Sequence, residues 1–299
     1  MNWQSLERIY SCSLSLLYRT MNRHYLRLLK FVPLLILIPA VIFSFHTFKF
    51  EAYLSALSIT LDDFPEDYSE ALTEAVNHHR RIEYNHTTFP TFDNTSSNTI
   101  PPTIHFIWFH DLYNRSSTDP LASKIPHSSS HAPKRCRLFN PDYEINIWNA
   151  TSARTFLTEH YAWILPTYDS YPYPIQQVDV LKYFVLYHYG GVYMDLDIAC
   201  RRPLDPLLMM PAWFAKASPL GLNNDLIAAR PGHPVIKALT ESLQGRAKWL
   251  GSEWVTVFWS TGPRFVSDIV KWWVEKHPAW RYRRGEPKDA DEGMTSSVR

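Results

Sequence analysis

The chain predicts an α/β domain set behind an apolar N-terminal segment. Three observations carry that prediction. After residue 100, β-branched and aromatic runs bounded by turn residues alternate with stretches of helical spacing. One helical stretch ends in Gly190-Gly191 and passes directly into Val192-Tyr193-Met194-Asp195-Leu196-Asp197. An uncharged run, Phe31 to Phe45, follows a leader in which Arg8, Arg19, Arg23, Arg27 and Lys30 stand against one acid, Glu7. Strands that alternate with helices build a sheet whose ligands gather at the strand C-terminal ends.

Residues 1–30 read as a cytoplasmic basic tail and 31–48 as a transmembrane signal anchor. With His46, Thr47 and Phe48 the apolar run reaches about the minimum for a membrane span, roughly 17 to 20 residues. The basic bias keeps the N-terminus cytoplasmic. No small-residue cleavage site follows the run, which favours an uncleaved anchor. A buried core helix is the alternative, and the basic leader disfavours it. Residues 49–100 read as a stem, with helical stretches near 51–60 and 66–82. A polar run from Tyr84 to Asn98 follows, with linker composition. Sequons at Asn85, Asn94, Asn114 and Asn149 agree with a lumenal placement. Cys136 and Cys200 either pair in an oxidising lumen or remain two buried thiols, and the sequence leaves both open.

Residues 101–280 form the globular domain, opened by Pro101-Pro102. Thr103 to Phe109 is apolar and β-branched and predicts a first buried strand. A Ser/Pro/His-rich loop, Asn114 to Pro133, comes next. Tyr143 to Trp148 alternates as a second strand, and residues 151–161 predict a helix crossing back. Gln176 to Tyr189 has no Gly or Pro and places Val178, Leu181 and Val185 at helical spacing. Gly190-Gly191 stops that helix. On the strand that follows, alternation puts Asp195 and Asp197 on one face. Two carboxylates that close repel unless a cation lies between them, and a hard divalent ion carrying phosphate oxygens answers that need. An acid pair alone is more often two solvated side chains. Its setting decides here: Asp179 and Lys182 fall at i and i+3 on the preceding helix. They are either a minor surface pair or part of the same cleft.

The stretch from Asp179-Val180-Leu181-Lys182-Tyr183 to Gly190-Gly191-Val192-Tyr193-Met194-Asp195-Leu196-Asp197 resembles the DXD sugar-transferase region of glycosyltransferase family 32. It also resembles the fungal catalytic subunits that mannosylate inositol-phosphoceramide. The resemblance covers roughly residues 100 to 275. It implies a GT-A-type, Rossmann-like nucleotide-sugar-binding domain behind the membrane anchor. It also implies retention of anomeric configuration, Mn²⁺ or Mg²⁺, and a nucleotide-sugar donor, GDP-mannose. The acceptor it implies is inositol-phosphoceramide or another lipid or glycan, with a regulatory or sister glycosyltransferase subunit as a further partner. The setting it implies is a single-pass type II protein of the Golgi or endoplasmic reticulum with a lumenal domain. Asp195 and Asp197 are then the catalytic pair. Asp197 contacts the metal, and Asp195 holds ribose or sugar hydroxyls and the metal through water. Asp179 and Lys182 orient the donor sugar, and His105, Trp108 and Asn224 are donor-binding candidates. Core packing is the competing reading for His105 and Trp108, and a strand cap for Asn224. Lys182 departs from the pattern, which usually carries Arg, and loses the planar fork. Ser260-Thr261-Gly262-Pro263 reads as a loop entering a helix whose N–H groups meet an anion, or as a plain junction.

A net charge of +1 disfavours a nucleic-acid binder. A haloacid-dehalogenase-like phosphatase also uses Asp-x-Asp, but expects Thr or Val where Ala199 stands. Residues 281–299 turn polar and charged and read as a disordered tail where family members continue with closing segments. A non-catalytic GT-A-fold partner is therefore the serious alternative.

Overall fold

The computed structural model describes residues 32–56, 58–78, 99–109, 130–218 and 221–277. The chain divides into two units, Met1–Ala56 and Leu57–Arg299. In the first unit, helix α1 spans Val32–Ala56. It covers the apolar run and continues through Lys49 and Glu51, into the stretch assigned from sequence to the stem. No helix among the described residues is long and apolar enough to cross a membrane. The span expected over 31–48 is therefore not established by the fold. The basic tail, the polar run 84–98 and the tail 281–299 lie outside the described residues, as do Asn85, Asn94 and Asn114.

The second unit opens with a short 3₁₀ turn, Leu61–Asp63, and helix α2, Glu66–His78. The chain then runs β1 (Thr103–Ile107), α3 (Ala132–Phe139), β2 (Glu144–Trp148), α4 (Ala150–His160), α5 (Leu165–Ser170), α6 (Pro174–Tyr189) and β3 (Gly191–Met194). It closes with β4 (Ala212–Lys216), β5 (Leu222–Ala229), α7 (Pro234–Arg246), α8 (Glu253–Ser260) and α9 (Pro263–Lys276). The first two strands and the helices at 150–160 and 174–189 stand where the sequence predicts them. Helix α3 takes over the end of the expected loop. The Asn149 side chain accepts the Ser152 N–H at 2.8 Å, so this sequon asparagine is also the N-cap of α4.

The five strands lie in the order β2-β1-β3-β5-β4. The first three are parallel, and β5 runs antiparallel to both β3 and β4. The chain leaves β1 toward β2 on one side and leaves β3 toward β4 and β5 on the other, so the connections from these two adjacent strands depart in opposite directions. A crevice opens at such a switch point, beyond the strand C-terminal ends. One sheet face buries Ile104, Phe106, Val192, Met194 and Ala228 against α3 and the segment Cys200–Trp213. Helix α6 contacts β1, β3 and β5, with α7, α8 and α9 packed beside it.

Helix α6 starts with Pro174 in its first turn, where a missing N–H costs nothing. Val178 through Leu186 are all buried. It ends because Gly190 has φ 67° and Gly191 φ 92°, the left-handed region that favours glycine. A Cβ on Gly191 would lie 2.6 Å from the Thr103 carbonyl oxygen. The pair thus lets the helix turn tightly into β3 alongside β1.

Cys136 on α3 and Cys200 form a disulfide across a sequence separation of 64. It resolves the alternative left open by the sequence. It ties α3 to the chain three residues beyond Asp197. Closing a loop of this length stabilises by about 4 kcal/mol on chain-entropy grounds. Cys200→Ser, or reduction with dithiothreitol, should lower the unfolding midpoint by several degrees in calorimetry. An unchanged midpoint would show that the bridge contributes nothing to stability.

A candidate active site at the switch point

The site is built around one buried cation. Lys182 is 2% exposed, and its Nζ donates to Asp195 Oδ1 at 3.2 Å and to the Asn224 carbonyl at 3.1 Å. It pairs with Asp179 Oδ1 at 3.0 Å. Nζ also stands 4.6 Å from the centre of the Tyr193 ring. An ammonium has three protons, and three acceptors from three different elements take them. Burial pushes its pKa down, but Asp195 and Asp179 more than reverse that, and the net direction is up. Lys182 is therefore a permanent cation.

Asp179 is equally committed. Besides Lys182, its Oδ1 accepts from Asn224 Nδ2 at 2.9 Å, and its Oδ2 accepts from Thr261 Oγ1 at 2.8 Å. Around it, Tyr183 donates to the Thr261 carbonyl and Gln176 Nε2 donates to Ser260 Oγ at 2.7 Å. Ser260 and Thr261 are fully buried, so the loop before α9 holds Asp179 in place of facing an open anion site. Asp179, Lys182 and Asn224, three of the donor-binding candidates read from the sequence, thus meet in one network. All three polar groups have partners within the protein.

Asp195 stands at the edge of this network. Its Oδ1 accepts from Lys182 and, at 2.5 Å, from the Tyr193 hydroxyl. Its side chain is 35% exposed, and no described residue bonds to Oδ2. Strand β3 ends at Met194, and Asp195–Ile198 is a turn closed by Ile198 N–H to the Asp195 carbonyl at 3.0 Å. Strand alternation thus does not extend to Asp197, as the sequence pattern suggests. The turn carries it out of the sheet into an exposed position.

His105 and Trp108, for which core packing is the competing reading, are both buried. His105 is 1% exposed in mid-strand. Its Nδ1 accepts from Trp148 Nε1 at 3.3 Å, which leaves Nε2 to donate to the Gly190 carbonyl at 3.0 Å. Both ring nitrogens are used within the fold, and the ring lies among Trp148 and Tyr189. It is a core histidine. Trp108 follows β1 at the crevice end, with its backbone N–H bonded to the Trp148 carbonyl at 2.7 Å and its side chain buried.

Two residues gain importance. Tyr193 links Lys182 to Asp195 through its ring face and its hydroxyl; alternation alone places it on the α6 side, but not its partner. Asp225 lies across from Asp195, whose N–H bonds the Asp225 carbonyl at 2.8 Å. A hard divalent ion takes carboxylate oxygens, and Asp195 Oδ2 and Asp197 offer them in the crevice. The oxygen chemistry of the pair suits such an ion, and among the described residues no group of three His, Cys, Asp or Glu could hold one.

Residues 126–213 match the family model described as a glycosyltransferase sugar-binding region containing a DXD motif. The chain carries that region, and its DXD is Asp195-Leu196-Asp197. It is 39% identical over 186 residues to inositol phosphoceramide mannosyltransferase 3 of Schizosaccharomyces pombe, covering 59% of this chain and 52% of that protein. It is 41% identical over 157 residues to mannosyl phosphorylinositol ceramide synthase SUR1 of Saccharomyces cerevisiae, covering 52% and 40%. The chain thus spans about half the length, or less, of these curated relatives. A solved structure, PaToxG Glycosyltransferase, aligns at 17% identity with a TM-score of 0.44, covering 72% of this chain and 82% of that one.

Two predictions separate structure from ligand contact. Lys182→Met keeps the stem but strands Asp179 and Asp195, and should destabilise by about 3 to 5 kcal/mol. Urea melts without any ligand test this; an unchanged midpoint would mean the lysine serves only a ligand. The second concerns pH. Burial lowers His105 to about 4 from the usual 6.5, against the opposing pull of Gly190 and Glu144. The unfolded chain then binds a proton that the folded ring refuses. Stability is whole above about pH 6.5 and falls as pH drops toward 4, by about 3 kcal/mol for such a shift. His105→Gln should flatten the difference between melts at pH 7 and pH 4.5. An equally steep loss in both proteins would place the pH dependence elsewhere.

Proposed function

We propose that this chain is a retaining glycosyltransferase of GT-A type. It transfers mannose from GDP-mannose to inositol phosphoceramide or a related lipid or glycan acceptor. The observation that carries the reading is the divided state of Asp195. One oxygen is fixed by Lys182 and Tyr193, and the other stays open beside an exposed Asp197. Fixed charge aimed at the place where charge develops is the main lever of such catalysis. The mannose and ceramide parts rest on the names of relatives that this chain matches over part of their length. The disulfide fits an oxidising compartment, and we place the domain in the Golgi or endoplasmic reticulum lumen, anchored through residues 31–48.

Asp197, with Asp195, would hold Mn²⁺ or Mg²⁺, which when bound supplies positive charge against the departing nucleoside diphosphate. The chain's own residues do the rest by orientation. Lys182 and Tyr193 hold Asp195 Oδ1, so its open oxygen has a fixed direction. Asp179, through Thr261 and Asn224, locks the loop before α9 and the start of β5 against α6. No side chain is assigned as a nucleophile. The switch-point crevice gives the nucleotide a place at the strand ends.

Thermal shift on the full chain tests this. GDP-mannose with Mn²⁺ should raise the midpoint, by about 2.7 kcal/mol of stability at a hundredfold excess over Kd. EDTA should remove the shift. Asp197→Ala should abolish it, and Asp195→Ala should weaken it less. A UDP-sugar acting in its place would overturn the donor. An equal shift for wild type and Asp197→Ala would overturn the site.

A further inference from the structure

We propose that the exposed aromatic face of α8 and of the loop before it, residues 247–259, seats the domain on the surface of a phospholipid bilayer. The proposal rests on the lipid-acceptor reading above.

Helix α8 is apolar on its outer side. Its buried residues are Thr256 and Ser260, both polar. Trp254 is 70% exposed and Trp259 37%, with Val255, Val257 and Phe258 half-buried between them. Trp254 and Phe258 stack with ring centroids 4.9 Å apart. Just before the helix, Trp249 is 67% exposed and Leu250 44%. An ordinary surface helix shows the reverse pattern, with its apolar stripe turned to the core. Exposed apolar surface of this kind marks contact with a protein or a membrane.

The display is held in place from within. The Leu250 N–H donates to Thr256 Oγ1 at 3.0 Å, which folds the loop back onto the helix. Ser252 caps the helix through the Val255 N–H. Ser260 Oγ accepts from Gln176 Nε2 at 2.7 Å and ties the inner side to α6. The next residue, Thr261, holds Asp179. The aromatic face is thus continuous with the loop that fixes the acid network of the site.

Charge selects the occupant. From residue 246 to 276, Arg246, Lys248, Arg264, Lys271 and Lys276 stand against Glu253, Asp268 and Glu275. The cations attend the indoles. Lys248 adjoins Trp249 in sequence, Arg264 lies over Trp259 at 4.8 Å, and Lys276 lies over Trp272 at 4.5 Å. Trp272 is itself 45% exposed, about two turns beyond Arg264 on α9. Indole rings settle at the headgroup level of a bilayer, where one edge is apolar and the other wet. Lysine and arginine beside them lay their stems on apolar surface and reach lipid phosphates. The core of a protein-docking surface is instead depleted in lysine. The acceptor proposed above is a phosphate-bearing lipid of such a surface. Helix α8 has eight residues, too few to cross a bilayer, so it lies in the interface plane.

The test uses the full chain in nanodiscs of brominated phosphatidylcholine with phosphatidylinositol. Tryptophan fluorescence is read relative to discs of the same lipids without bromine. Wild type should be quenched. The double variant Trp249→Gln, Trp254→Gln should lose much of that quenching, while its unfolding midpoint without lipid stays at the wild-type value. Tryptophans elsewhere contribute equally to both proteins. Leu138→Gln is the control, an exposed apolar residue on α3, and should be quenched as wild type is. Mannose transfer gives a second readout. In the double variant, transfer to inositol phosphoceramide held in bilayers should fall by about tenfold. Transfer to the same lipid dispersed in detergent should stay at the wild-type rate. Equal quenching of wild type and the double variant overturns the inference and leaves the face to a protein or a second copy of this chain. An equal loss of transfer in bilayer and in detergent also overturns it, since the tryptophans would then act within the site. If wild type transfers to neither, the acceptor reading fails by itself, and the quenching still decides the surface.

Discussion

The architecture of the site depends on the burial of Lys182. Taking an ammonium out of water costs several kcal/mol, and the cost is offset only when every proton finds an acceptor in good geometry. Here the acceptors come from α6, from the turn after β3 and from the start of β5. Those three elements must arrive together or the charge is stranded. On an isolated helix, Asp179 and Lys182 would be a surface pair contributing about 0.2 to 0.5 kcal/mol. Closed over by the sheet and by Thr261, the same pair becomes the fixed point from which Asp195 is positioned.

The sheet explains why these elements meet. Strands β1 and β3 lie at the reversal of strand order, so their ends define the crevice. Strand β5 is antiparallel, which brings its beginning, not its end, to the same rim. The rim thus receives a turn from one strand and a bulged entry from another. Behind the turn, the disulfide fastens Cys200 to α3. The aspartate turn is held from both sides: by Lys182 and Tyr193 within the site, and by a covalent link on the opposite face of the sheet.

Much of this was legible in the sequence. The helix from 174 to 189, its Gly-Gly stop and the motif after it form a local pattern with a local cause. Alternation located β1 and β2 within a residue or two. It failed at Asp197 because period two holds only while the strand lasts, and β3 stops at Met194. The irregular pairing of β4 with β5 was not legible for a related reason: a bulge is a mismatch between two strands, and neither strand shows it alone. For His105 the sequence left core packing and donor contact open because its environment is non-local. Nothing near Thr103–Ile107 in sequence says that Trp148 and the Gly190 carbonyl will take both ring nitrogens. The commitment of Lys182 was hidden likewise, since two of its three acceptors lie 13 and 42 residues away.

The acids of the site therefore divide by function. Asp179 accepts from Lys182, Asn224 and Thr261, and Asp195 gives one oxygen to the same network. Among the described residues, no ion pair reaches Asp197 or Asp225. A protein selected for stability alone would neutralise such carboxylates or replace them. Holding unbalanced negative charge at a strand-end crevice makes sense where an incoming cation completes it. The rigid half of the cluster keeps the open half from collapsing onto the lysine. Were Lys182 free to serve Asp197, the charge would be balanced internally and the crevice would have little to offer a ligand. Complete internal coordination of Lys182 thus leaves the second oxygen of Asp195 and the exposed Asp197 open to the crevice.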